Sequence, residues 1–197
     1  MTAEKIAKKL KYTKLDGLSE KQLQEHHGVL YPGYVKKVNE IWQRLEKADL
    51  DAANATYSDL RELKVEETFA LNGVKLHEGY FDNLGGHGGK ASGKVLELIE
   101  KSFGSFGNWE NEFRALGLTA RGWVVLAYDL DEKRLFNFVC DTHNQGGVWN
   151  CAAILILDVY EHAYFIDYGT GRKKYIEAFM KNIDWNYVNS VITRYKI

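Results

Sequence analysis

The feature that most narrows the folds open to this chain is the segment NCAAILILDVYEHAYF, residues 150–165. Ala152 to Leu157 is an unbroken apolar run, far short of the roughly 18 residues a membrane span needs. Its length and its β-branched residues predict a strand buried on both faces. The run ends on a carboxylate, Asp158, and Glu161 and His162 follow within one turn. Charges are costly to bury unless they are paired or bound to a metal. The chain must therefore fold so that the end of this strand meets groups that satisfy Asp158, Glu161 and His162.

The rest of the chain supplies the elements around that strand. Before it, GWVVLAYDLDEKRLFNFVCD predicts two strands joined by a turn at Asp129–Lys133. The N-terminal part has helical periodicity instead. Ser19 with Gln22 three residues on forms a capping box, and Leu23, Leu30, Tyr34, Val38, Ile41, Trp42 and Leu45 recur at helical spacing. Pro32 predicts a kink or break near Tyr31. A second helix is expected over about Leu60 to Tyr80, followed by the glycine-rich loop NLGGHGGKASG. That loop is expected to be flexible, with His87 exposed. Helices are expected again over Val95–Phe103, Trp109–Leu116 and the C-terminal segment from Gly169. The order implies an α+β fold. An N-terminal helical hairpin domain, residues 1–84, precedes a C-terminal domain, residues 85–197, in which a small three-stranded antiparallel sheet is packed with helices.

Composition enters through what it excludes. A formal net charge of −1 gives no bulk electrostatic case for nucleic acid or a membrane surface as partner. The two cysteines, Cys140 and Cys151, form no CxxC and no disulfide framework, which favours free thiols in a reducing compartment. No apolar leader precedes the first helix, so a cytoplasmic location is expected.

Among the six histidines, company separates a chemical role from a structural one. Asp158 and His162 lie four residues apart at a strand end and can point into one pocket. Carboxylate plus neutral imidazole suits iron, manganese or zinc. The alternative is a buried Asp–His pair without metal. His77 in LNGVKLHEGYF and His26 in LQEHHGVLYPGYV sit on predicted helices and would complete a set of three nitrogens and one oxygen. Other motifs fail on spacing. GGHGGKAS lacks a phosphate loop's first glycine and its Ser/Thr. Asp158-x-x-Glu161-His162 has an aspartate where a zinc peptidase motif has histidine.

These segments resemble the iron/manganese superoxide dismutases. The family's D-x-W-E-H-A-Y-Y signature is similar to Asp158-Val-Tyr-Glu-His162-Ala-Tyr-Phe165, and DYGTGRKKYIEAFMKNIDWNYV, KSFGSFGNWENEF, GWVVLAYD, NGVKLHEGYFDNL and HHGVLYPGYV are similar to its other segments. The resemblance runs from about Leu15 to the C-terminus. It implies that His26, His77, Asp158 and His162 are the ligands of one iron or manganese ion per subunit. His26 is preferred to His27 because the family pattern places a histidine eight residues before Tyr34. Tyr34 matches the tyrosine at the mouth of the site, Trp123 the tryptophan lining it, and Arg172 an arginine near the substrate channel. Glu161 matches a glutamate that reaches the partner subunit's ligand histidine, which implies a homodimer and leaves pairing of dimers into tetramers open. His143 takes the place of the group that hydrogen-bonds solvent on the metal, because the alternative position falls at Gly73.

The chain departs from the pattern at Leu30 and Tyr31, where the family has histidines, and at Phe165, where it has tyrosine. Tyr160 and Phe81 stand where the family has tryptophan. Leu30 and Phe165 change together, and in the family that histidine and tyrosine hydrogen-bond across the dimer, so no orphaned polar group remains. The activity implied is conversion of superoxide to dioxygen and hydrogen peroxide. The alternative is a non-enzymatic or weakly active homologue that keeps the ligands.

Overall fold

The computed structural model describes residues 4–197. Helix α1 (Glu20–Leu23) begins where the Ser19 side chain accepts from Gln22 N–H. Only half of the expected capping box forms. The Ser19 N–H goes instead to Asp167 Oδ2 at 2.7 Å, and the Gln22 side chain turns away toward residues 162 and 166.

The helix then widens into a π-helical stretch, Gln24–Leu30, before continuing as α2 (Tyr31–Leu45). The expected break near Tyr31 is thus a change of helix type. Tyr31 N–H bonds to the His26 carbonyl five residues back. Pro32 has no N–H, and its ring crowds the preceding turn of an α-helix, a conflict the wider turn relieves.

Helix α3 (Asp59–Asp82) packs along α2, which buries Tyr31, Val35, Val38 and Ile41 at helical spacing. Its other side packs on the sheet. Gly79 lets it approach, since a Cβ there would come 2.4 Å from Ile156. Helices α4 (Lys94–Phe103) and α5 (Phe106–Thr119) follow. Helices α3 and α5 start earlier than their apolar periodicity suggests, because Ser58 and Ser105 cap them.

The sheet is antiparallel in the order β2-β1-β3, with β1 Trp123–Asp129, β2 Arg134–Cys140 and β3 Cys151–Asp158. Trp123, first in β1, sits between Cys140 and Asp158 in register. Leu126 pairs with Leu155 and Ala127 with Ala153, so Ile154 bulges out of the ladder. A 3-10 turn (Glu161–Ala163), α6 (Phe165–Tyr168), α7 (Arg172–Lys181) and α8 (Trp185–Tyr195) complete the chain.

The glycine-rich loop is held, not loose. Gly86 N–H bonds to the Asn182 carbonyl, Gly88 N–H to that of Ile183, and Asp184 N–H to that of Asn83. A Cβ at Gly86 or Gly88 would come 2.3 Å from the carbonyl oxygen of Ile183 or Met180, so these glycines permit close backbone contact. His87 is exposed, as expected. No helix among the described residues is long and apolar enough to cross a membrane. Cys140 and Cys151 are free.

Candidate metal centre

Four separate elements deliver one constellation. His26 comes from the π-helical stretch, His77 from α3, Asp158 from the end of β3 and His162 from the 3-10 turn. Their ligand atoms all lie within 4.8 Å of one another. Asp158 Oδ2 is 3.1 Å from His26 Nε2, 3.1 Å from His162 Nε2 and 3.7 Å from His77 Nε2. His26, His77 and Asp158 are fully buried, whereas the His162 side chain retains 26% exposure. His27 lies outside the cluster, against Tyr31 and Phe81.

The surroundings set the chemistry of each group. The His77 Nδ1–H donates to the Gly73 carbonyl at 2.6 Å, which leaves Nε2 as a lone pair facing the cluster. Burial, then the His26 imidazole nearby, holds His77 down to about 3. Burial likewise lowers His26. Burial alone would raise Asp158, but the His162 and His26 imidazoles beside it keep its carboxyl well below the usual carboxylate range. Asp158 Oδ1 accepts from Tyr160 N–H at 2.9 Å, and its backbone carbonyl accepts from Tyr175 O–H at 2.6 Å.

Two buried nitrogens, His26 Nε2 and His77 Nε2, make no hydrogen bond. Buried polar atoms are almost always satisfied. Two buried imidazole nitrogens that make no well-formed hydrogen bond, crowded against a buried carboxylate, therefore fit one divalent or trivalent cation. Three nitrogens and one oxygen are a donor set suited to iron or manganese.

A second network flanks the first. The Trp123 indole N–H donates to His143 Nδ1 at 3.0 Å, and His143 Nε2 lies 2.7 Å from the Tyr34 hydroxyl. Because an indole nitrogen only donates, Nδ1 is the acceptor and the neutral ring carries its proton on Nε2. Burial lowers His143 to about 4, which keeps it neutral. Nε2–H then donates to Tyr34 Oη, leaving the tyrosine proton free to point elsewhere. Both His143 nitrogens are thus engaged within the chain. The expected direct bond from His143 to solvent would have to share the Nε2–H with Tyr34. Burial, then Tyr160, raises Tyr34 to about 12. Gly73 is where these rings need room: a Cβ there would come 2.9 Å from Tyr34 Cδ1 and 3.2 Å from His143 Cδ2.

The remaining expected residues are placed as follows. Phe81 packs edge-on against His26 at 4.8 Å between ring centres, and Tyr160 stacks on His162 at 5.0 Å. Arg172 donates to the Ala120 carbonyl and the Tyr164 hydroxyl. Glu161 is exposed and makes no ion pair among the described residues. Leu30 is half-buried, and Phe165 is 50% exposed beside Ile166.

Sequence reasoning missed three contributors. Phe69 packs on His143 with ring centres 4.5 Å apart. Tyr175 holds the Asp158 backbone, and Gln22 holds that of His162. No local pattern marks them, because each is defined by a partner remote in sequence.

Residues 91–191 match the family model for the C-terminal domain of iron/manganese superoxide dismutases. The chain is 42% identical over 184 residues to a protein of Aquifex aeolicus named superoxide dismutase [Fe], covering 91% of this chain and 86% of that one. It is 43% identical over 178 residues to a superoxide dismutase [Fe] of Cupriavidus metallidurans, covering 87% of each. It is 36% identical over 174 residues to a superoxide dismutase [Mn] of Haloarcula marismortui, covering 86% of this chain and 82% of that one.

Proposed function

The chain belongs to the iron/manganese superoxide dismutases, and we propose that it converts superoxide to dioxygen and hydrogen peroxide at a site held by His26, His77, Asp158 and His162. The observation that carries this reading is the pair of buried imidazole nitrogens left without hydrogen bonds around an ionised Asp158. When bound at these four residues, an iron or manganese ion would supply one-electron redox chemistry.

The side chains of this protein do the rest. Asp158 puts a negative charge among three imidazoles, which favours the higher oxidation state and offsets the cation's charge. The hydrogen bonds that it accepts from Tyr160 N–H and, on its backbone carbonyl, from Tyr175 O–H fix its orientation. Making hydrogen peroxide also takes two protons. Tyr34 is protonated at neutral pH, and because its oxygen accepts from His143, its own proton can be offered to solvent or to the incoming anion. Trp123 holds His143 in the tautomer this requires. Phe81, Trp123 and Tyr160 wall the site with apolar surface and limit entry of water. Arg172 adds a permanent positive charge that favours approach of a small anion.

The reading extends to organisation. Residues 1–84 supply His26 and His77, and residues 85–197 supply Asp158 and His162, so a two-domain chain would close its site at the domain boundary. A homodimer is proposed, because Glu161 and Phe165, one and three residues from His162 in the chain, are exposed. A cytoplasmic location agrees with two unpaired thiols.

Metal analysis tests the site. The purified chain should hold one iron or manganese ion per subunit, and Asp158→Ala should hold little. Full metal content in the variant would contradict the assignment.

A further inference from the structure

Three of the four clustered residues are fixed by burial, but His162 is not. It rides on a three-residue 3-10 turn, and its side chain is 26% exposed. Something other than core packing must hold it in place. The backbone around it is gripped from the other end of the chain. Gln22, only 1% exposed, donates from Nε2 to the His162 carbonyl at 2.6 Å and accepts the Ile166 N–H on Oε1 at 3.2 Å. One amide thus spans the turn that carries His162, from its middle to the helix beyond.

Gln22 also stands four residues before His26, on the same side of the same continuous helix. We propose that Gln22 is a positioning residue that locks the His162 turn to the His26 helix, so that the two imidazoles hold their spacing when the metal leaves or enters. The inference rests on the ligand assignment above. Metal ligands lose about 10–100-fold in affinity when the groups that orient them are removed. A carboxamide suits the task, because it offers one donor and one acceptor about two atoms apart to a carbonyl and an N–H of the same turn.

A second joint offers a built-in comparison. Asn182 ties Asp16 to α7 through bonds to the Asp16 N–H and carbonyl, and it touches neither His162 nor its turn. It links distant parts of the chain as Gln22 does, without reaching the cluster.

The experiment challenges the manganese-loaded full chain with excess EDTA and follows metal release. Gln22→Met keeps the side chain's length and removes both hydrogen bonds. Gln22→Glu keeps the acceptor for Ile166 N–H but sets a carboxylate against the His162 carbonyl. Both should release manganese at least about tenfold faster than the unmodified chain. Asn182→Ala should lower the melting temperature with release unchanged.

Unchanged release from both Gln22 variants, or equal acceleration in Asn182→Ala, would overturn the proposal. An unmodified chain that holds no manganese or iron would overturn the ligand assignment, and the clamp with it. Should the variants not fold, amide exchange on the unmodified chain decides. Removing the metal should leave exchange of the Ile166 N–H, held by Gln22, nearly as slow as before, like that of Asp16, held by Asn182. Exchange of the Ile166 N–H that speeds at least about tenfold on metal removal, with Asp16 unchanged, would count against the clamp.

Discussion

Single side chains in this protein owe their states to burial as much as to partners. His77 and His143 are held down to about 3 and about 4 chiefly by desolvation. An unfolded histidine titrates near ~6.5. Between those values the unfolded chain binds more protons, so the metal-free fold is most stable above about pH 6.5 and loses stability as pH falls toward about 4. Lowered Asp158 acts in the same direction at still lower pH. Thermal unfolding of the metal-free protein should show a melting temperature that drops from about pH 7 to about pH 5; a flat profile would contradict the buried neutral imidazoles. At His143 the prediction is different in kind. His143→Ala removes the acceptor for Trp123 and the donor to Tyr34 but touches no clustered ligand atom. Metal content should stay near that of the unmodified chain while turnover per bound metal falls about 10²-fold or more, the usual scale for a group in proton delivery. Unchanged turnover per metal would leave His143 as packing alone. At this scale the sequence was informative where residue type and chemistry coincide, as at Asp158 and His162. It was silent at Gln22, which local spacing assigned to the Ser19 cap while its amide reaches 140 residues along the chain.

Among the elements, the helix that carries His26 was the least legible. Periodicity placed it, and Pro32 marked a disturbance, but neither says that the disturbance is a π-helical stretch containing the histidine. A π-helix accommodates an extra residue per turn without breaking the chain, and such stretches gather at functional sites. The consequence is testable. Deleting Gly28 from the stretch would rotate everything before it by about 100° relative to α2. His26 would then turn away from His77 while Tyr34 keeps its place. The deletion should leave helical circular dichroism within about a tenth of the original, since only one residue of the helix is lost, yet remove most of the bound metal. Retained metal would show that the widened turn does not aim His26. The strands, by contrast, were readable almost to their ends. An apolar run of this length between turn residues can be little else, and its one irregularity at Ile154 depends on the ladder with β1, which only pairing reveals.

The molecule as a whole presents a surface that the single chain does not explain. Glu161 is exposed next to partly exposed His162, and Phe165, Ile166 and Val29 are exposed apolar residues. These exposed apolar residues are what the proposed dimer interface would cover. Phe165→Asp should turn the proposed dimer into a monomer in sedimentation, because a charge buried there without a partner costs several times the roughly 1.4 kcal/mol that shifts an association constant tenfold. A variant that still sediments as the unmodified chain does would place the interface elsewhere. Fold class was within reach of the sequence because helical patterns run to about Thr119, strand patterns follow from Trp123 to Asp158, and helix returns after them. That the loop is stitched to residues 182–184 was not, since its glycines signal freedom unless the backbone they approach is known.

The central claim is that this cluster, once filled, turns over superoxide. The direct measurement is the decay of superoxide generated in a single pulse, with the protein loaded to known occupancy by iron or by manganese. Decay should be catalytic, with a rate proportional to bound metal, and should vanish in the metal-free chain and in Asp158→Ala. Decay no faster than in buffer with the site fully loaded, or equally fast with the metal removed, would contradict the account.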